Sequence, residues 1–165
     1  MFKPGETVIY GGEGVCTVEK IDSMDVRGVS KDKLYYFLTP LYRGGTIYAP
    51  LDTPVRMREV ISAEEAEELI KRIPDIPAEV FKERNVRLLS EKYLNIIKSY
   101  NCEDLVRVIK TIYNKRENAL VNGKKLGSVD ERFLNRAEDM LHGELAVALG
   151  IEKEEVNEYI KSKLS

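Results

Sequence analysis

A single histidine, His142, limits the chemistry open to this chain. A nucleophile triad, a histidine-rich metal site or a histidine acid–base pair would have to use it. It lies in Leu141-His142-Gly143-Glu144-Leu145, with no serine or cysteine motif beside it. It is read as a helix residue packed near a carboxylate or a backbone carbonyl. Gly11-Gly12-Glu13-Gly14 resembles a fragment of a phosphate loop, but no helix and no Lys-Ser or Lys-Thr pair follows. It is read as a turn between strands. Glu64-Glu65 and Glu67-Glu68 fit a solvated acidic helix face. Cys16 and Cys102 are too few for a structural zinc site and too isolated for a disulfide framework. No catalytic constellation, metal, cofactor or small-molecule substrate is expected, and a hydrolase or transferase is the weakest reading.

Binding is the remaining class, and charge shows where it would occur. The formal net charge of −2 predicts no general affinity for polyanions. Residues 71–136, however, hold 15 basic and 9 acidic residues, between acidic stretches at 59–70 and 137–165. Local potential, rather than the mean, steers partners. In the helical pattern of Glu103–Leu120, Leu105, Val108, Ile109, Ile112 and Tyr113 share one face. Arg107, Lys110 and Lys115 point towards the other, and Arg116, Lys124 and Lys125 extend the charge to the Asn122-Gly123 turn. Such a cluster can neutralise phosphates and release counterions. A solvated amphipathic helix explains it as well.

These residues need two kinds of scaffold. Of the 165 residues, 43% are hydrophobic and 33% charged, which suits folded domains. No run of eighteen apolar residues spans a membrane, and the N-terminal strand pattern has no apolar signal core, so a cytoplasmic protein is expected. Short strand patterns recur at Glu6–Tyr10, Val15–Ile21, Leu34–Leu38, Thr46–Pro50 and Val55–Arg58, with Gly44-Gly45 suited to a tight turn. They predict a five-stranded SH3/Tudor-like β-barrel over residues 1–60. Ser62-Ala63-Glu64-Glu65 is a capping box, and Ala66, Leu69, Ile70 and Ile73 recur at helical spacing after it. Pro74 and Pro77 mark residues 61–77 as a capped helix and linker. Helical patterns at Val86–Tyr100, Glu103–Leu120, Val129–Leu149 and Lys153–Lys163 predict an all-α bundle over 78–165, with Gly150 stopping the fourth helix. The class is therefore α+β in two domains.

The quoted residues resemble the CarD family of bacterial RNA-polymerase-binding regulators over nearly the whole chain. Phe2-Lys3-Pro4-Gly5-Glu6-Thr7-Val8-Ile9-Tyr10, with Gly14 and Val15, is similar to the family's first strand and turn. Tyr35-Tyr36 and Thr46-Ile47-Tyr48-Ala49-Pro50 resemble later barrel strands, and Val55, Arg58 and Glu59-Val60 the exit from them. Asp130-Glu131-Arg132-Phe133-Leu134-Asn135-Arg136-Ala137, then Leu141 and Gly143-Glu144-Leu145-Ala146, are similar to the C-terminal helix signature. The resemblance implies a barrel that binds the polymerase β subunit largely by sheet-edge contact, as a related barrel does in the transcription–repair coupling factor. It also implies a helical domain that contacts promoter DNA, largely without sequence specificity, at the upstream edge of the melted bubble. Holding both partners stabilises the open complex through effective concentration.

Two positions depart from the family. Its members commonly carry a tryptophan wedge at the start of a bundle helix, and this chain has no tryptophan. Aligned around Tyr93, that place falls on Leu89, which can act as an apolar wedge or belong to the core. The basic pair that usually follows is Glu91-Lys92 here, leaving Lys92 as its cation. The family's polymerase-contacting arginines fall at Met24 and Tyr48; Arg27 and Arg43 lie close enough in sequence to replace the charge, and Tyr48 is either an aromatic anchor or an ordinary strand residue. A polymerase-binding adaptor with no direct DNA contact is the alternative.

Overall fold

A computed structural model describes residues 1–99 and 101–165. The chain divides into two compact units, Met1–Val60 and Ile61–Ser165.

The first unit is an antiparallel sheet of β1 (Thr7–Tyr10), β2 (Val15–Ser23), β3 (Leu34–Pro40), β4 (Ile47–Pro50) and β5 (Met57–Glu59). The hydrogen-bonded order is β4-β3-β2-β1-β5. Alternation sends Val8, Tyr10, Cys16, Val18, Tyr36 and Leu38 into one core, which Ala49 completes. A short 3₁₀ turn, Gly11–Glu13, joins β1 to β2, as the glycine run predicts. Gly45 has φ +99, a conformation that a side chain would strain. The last strand begins later than predicted: Val55 stays exposed, and Arg58 pairs with Ile9.

In β2 the register slips between Val18 and Lys20. Val18 faces Leu38, while Lys20 faces Phe37, so Glu19 is the extra residue of a β-bulge. Without it, Lys20 would follow Val18 into the core by simple alternation. The bulge sends Lys20 outward and returns Ile21 to the inner side, where it packs on the core.

The second unit holds α1 (Ala63–Arg72), α2 (Val86–Lys98), α3 (Cys102–Val121), α4 (Ser128–Leu149) and α5 (Val156–Leu164). The predicted α1 capping box forms: Ser62 Oγ accepts from Glu65 N–H, and Glu65 Oε1 accepts from Ser62 N–H, both at 3.0 Å. Asn85 and Asn101 cap α2 and α3 through their side-chain oxygens. The predicted end of the α2 pattern, Tyr100, lies outside the described residues. Gly150 at φ +68 ends α4 in a left-handed cap. Residues Lys153–Glu155 form a 3₁₀ turn rather than the start of α5. Tyr93, Ile97, Leu105, Ile112, Leu134 and Leu145 form the centre of the helical core. A β domain followed by a helical domain is thus the class the sequence predicts.

Candidate functional site

The basic helix α3 positions its charges in two different ways. Lys115 lies where α3 faces α2 and α4, and its ammonium donates to Asp130 Oδ1 at 2.9 Å and to Tyr93 Oη at 3.3 Å. The Tyr93 hydroxyl donates to the same Asp130 oxygen. Burial first, and the Asp130 bond second, push the Tyr93 phenol well above its ordinary value. Lys110 turns towards the end of α1, where its ammonium donates to the Ile73 carbonyl at 2.7 Å and the Ile76 carbonyl at 2.6 Å. A cation at carbonyls left open beyond a helix end is favourable. Arg107 bonds Asp104 at 2.8 Å and lies 4.0 Å from Glu103.

The open basic face expected on α3 is therefore corrected at three positions. Lys110 and Lys115 serve the interior of the helical unit, and Arg107 is neutralised by its own helix. Tyr113 is also corrected: it is exposed rather than part of the core face, and its hydroxyl donates to Glu138 at 2.8 Å. Lys124 and Lys125 are exposed, with no side-chain ion pair among the described residues. The turn that carries them is well tied, with Lys124 N–H donating to the Ala119 carbonyl at 2.7 Å and Asn122 Nδ2 to the Asn118 carbonyl at 2.8 Å. Arg116 lies over the Tyr113 ring at 5.4 Å. Leu120 and Val121 are exposed on the same helix end. Lys92 is exposed on α2, with its ammonium 5.7 Å from the Phe81 ring centre.

Leu89 is 7% exposed and belongs to the helical core. Of the two places open to it in the sequence, apolar wedge or core, its side chain occupies the core. Leu88, 44% exposed, and Val86 are the apolar residues that the start of α2 presents to solvent. The one-residue displacement follows from helix geometry: Leu89, Tyr93 and Ile97 recur every fourth position on the buried face, and Leu88 lies beside that stripe.

In the β unit, Met24 and Arg27 lie in the β2–β3 loop, the first half-buried and the second exposed. Arg43 is ion-paired with Glu13. Tyr48 stands on β4, about half exposed, with its ring edge-on to Phe37 at 5.0 Å. These four residues thus occupy separate places: a loop, a paired surface site and a strand at the end of the sheet.

The remaining chemical groups are structural in their surroundings. His142 is half-buried, and burial lowers its imidazole below the usual value against the opposing pull of Glu138. Glu144 is buried; one oxygen accepts from Ile61 N–H at 3.0 Å and the other from the Cys102 thiol at 3.1 Å. This contact escaped the sequence reading, although an acidic residue inside an apolar helix pattern was its available signal. Cys16 is fully buried, which pushes its thiol up to about 11. Among the described residues, no group of three His, Cys, Asp or Glu is placed to hold a metal ion. No helix among them is long and apolar enough to cross a membrane. An open groove of about 230 Å³ runs between Phe81, Ile96 and Val108, rimmed by Asn95, Asp104 and Arg107.

Two family models match the chain in order. Residues 2–61 match the CarD-like/TRCF RID domain, and residues 79–161 match the CarD C-terminal domain. No curated protein matches the chain.

Proposed function

The chain belongs to the CarD family and is an RNA-polymerase-interacting transcription regulator, and on that premise we propose that it stabilises the open promoter complex. The family domains indicate a regulator without catalysis. In this reading the β unit binds the polymerase β subunit, and the helical unit contacts promoter DNA near the upstream edge of the bubble. The chain would act in the cytoplasm. The observation that carries the proposal is the pair of matched domains, one for each compact unit.

The DNA-facing set is redrawn from the geometry. Lys124, Lys125 and Arg116 at the end of α3, with Lys92 on α2, supply the phosphate contacts, while Lys110, Lys115 and Arg107 hold the fold. Leu88 takes the wedge role first assigned to Leu89. Contacts of this kind position a protein on a duplex without reading its sequence. Met24, Arg27, Arg43 and Tyr48 remain the proposed polymerase contacts.

The test is the lifetime of the open complex on one promoter, with purified polymerase, with and without the full chain. A longer lifetime supports the proposal; an unchanged lifetime together with no binding to the β subunit overturns it. The adaptor reading, polymerase binding without DNA contact, is favoured by the internal engagement of Lys110 and Lys115. Fork-junction DNA added to the polymerase-bound chain separates the two readings, because an adaptor leaves its affinity for polymerase unchanged.

A further inference from the structure

Three aromatic rings, from the segment before α2, from α2 and from α4, pack in a row in the helical unit. Phe81 meets Tyr93 edge to face with ring centres 5.5 Å apart, and Tyr93 lies against Phe133 at 5.2 Å. Each ring carries a cation. The Lys92 ammonium lies 5.7 Å from the Phe81 centre, Lys115 lies 5.7 Å from Tyr93, and the Arg132 guanidinium lies 5.1 Å from Phe133. The charge of Lys115 is matched by Asp130 at 2.9 Å. Lys92 and Arg132 are exposed and have no ion pair among the described residues. Their helices offer them none, because no acidic residue stands three or four positions from either, the spacing that pairs side chains along a helix. Glu91 is engaged by Arg87 at 3.4 Å, and Asp130 by Lys115 and Tyr93.

We propose that Arg132 is a further contact to promoter phosphate, and that Phe81 is a positioning residue that holds Lys92 for the same partner. This rests on the reading of the helical unit as the DNA-facing part. A ring face attracts a cation through its quadrupole but has no net charge of its own. A carboxylate instead cancels the charge, as Asp104 does for Arg107 at 2.8 Å. A cation seated on a ring thus gives up side-chain freedom in advance, while its charge and its outward N–H groups stay open to a phosphate. The row is a firm seat: Tyr93 is fully buried and Phe133 is 4% exposed, so the core fixes the rings beneath the two cations. The surrounding charge suits a polyanion, with 15 basic and 9 acidic residues over 71–136.

Affinity of the full chain for fork-junction DNA, measured across a salt series, tests this. Lys92→Gln and Arg132→Gln are each expected to flatten the slope of log affinity against log salt by about 0.9, the value for one duplex phosphate. Phe81→Leu is expected to weaken binding by about twofold to fivefold at fixed salt, and to add little in the Lys92→Gln background. Phe81→Tyr, which keeps the ring, should bind like the wild type. A merely structural Phe81 would cost as much in both backgrounds, and its losses would follow the melting temperature. A slope unmoved by Arg132→Gln, or additive losses for Phe81 and Lys92, overturns the inference and leaves DNA binding standing. Glutamine variants that lose affinity for polymerase at an unchanged DNA slope assign the cations to a protein surface, which also overturns it. A wild-type chain that does not bind fork-junction DNA, alone or on polymerase, overturns the reading beneath it as well.

Discussion

Replacing Lys115 by methionine separates a structural cation from a DNA-binding one. The substitution keeps the length of the stem but removes the ammonium that bonds Asp130 at 2.9 Å. The Asp130 side chain is only 12% exposed and would keep the Tyr93 hydroxyl as a hydrogen-bond donor. A hydrogen bond to a charged group contributes about 1.5–3 kcal/mol. Breaking a fully buried pair costs about 3–5 kcal/mol, but the Lys115 side chain is 27% exposed, so the lower range applies. We therefore expect a loss of about 2 kcal/mol, which lowers the melting temperature of a domain this size by roughly 8–16 °C. The slope of log affinity for fork-junction DNA against log salt should not change. Replacing Lys124 and Lys125 by glutamine should do the opposite. Stability stays within about 0.5 kcal/mol, and the salt slope flattens by about 1.8 if each lysine meets one phosphate. Circular-dichroism melting and gel shifts across a salt series measure both quantities. A Lys115→Met chain that melts like the wild type and loses salt slope would refute the division of roles.

Leu89→Ala should destabilise the helical unit by about 2–5 kcal/mol through the cavity it leaves, while Leu88→Ala should cost under about 0.5 kcal/mol and shorten open-complex lifetime. Chemical unfolding and a promoter-dissociation assay check the pair. Burial raises the Cys16 thiol from an ordinary 9.0 to about 11, so its contribution to stability is complete below pH 9 and is lost as pH rises towards 11. The loss is on the order of 1–3 kcal/mol, and Cys16→Ala should flatten the unfolding profile over that window. Glu144→Ala should cost about 1–3 kcal/mol by removing the acceptor of Ile61 N–H and the Cys102 thiol. Faster amide exchange at Ile61 is the specific signature.

Local signals read well in this sequence because they act within a few residues. The capping box needs only Ser62 and Glu65, and the left-handed stop needs only Gly150. Period identified the strands and helices, since alternation and the 3.6-residue repeat place side chains on a face. The same rule could not say which charges remain open. Lys115 finds Asp130 fifteen residues away, and Lys110 finds carbonyls 34 and 37 residues away. Those contacts depend on how helices pack, which a helical wheel does not contain. The bulge was hidden for a similar reason. Val15–Ile21 alternates only loosely, and nothing local marks Glu19 as the residue to be skipped. At Leu89 both readings were available, and a step of one residue along α2 separates its place in the core from the exposed Leu88.

The internal engagement of Lys110 and Lys115 also bears on how such a protein can change over generations. Lysines that hold a helical unit together are kept by folding alone, whatever the strength of any grip on DNA. Lys124 and Lys125, on a turn secured by backbone bonds, can be gained or lost without disturbing the core. Affinity for a polyanion could thus drift up or down at the end of α3 while the scaffold stays under separate selection.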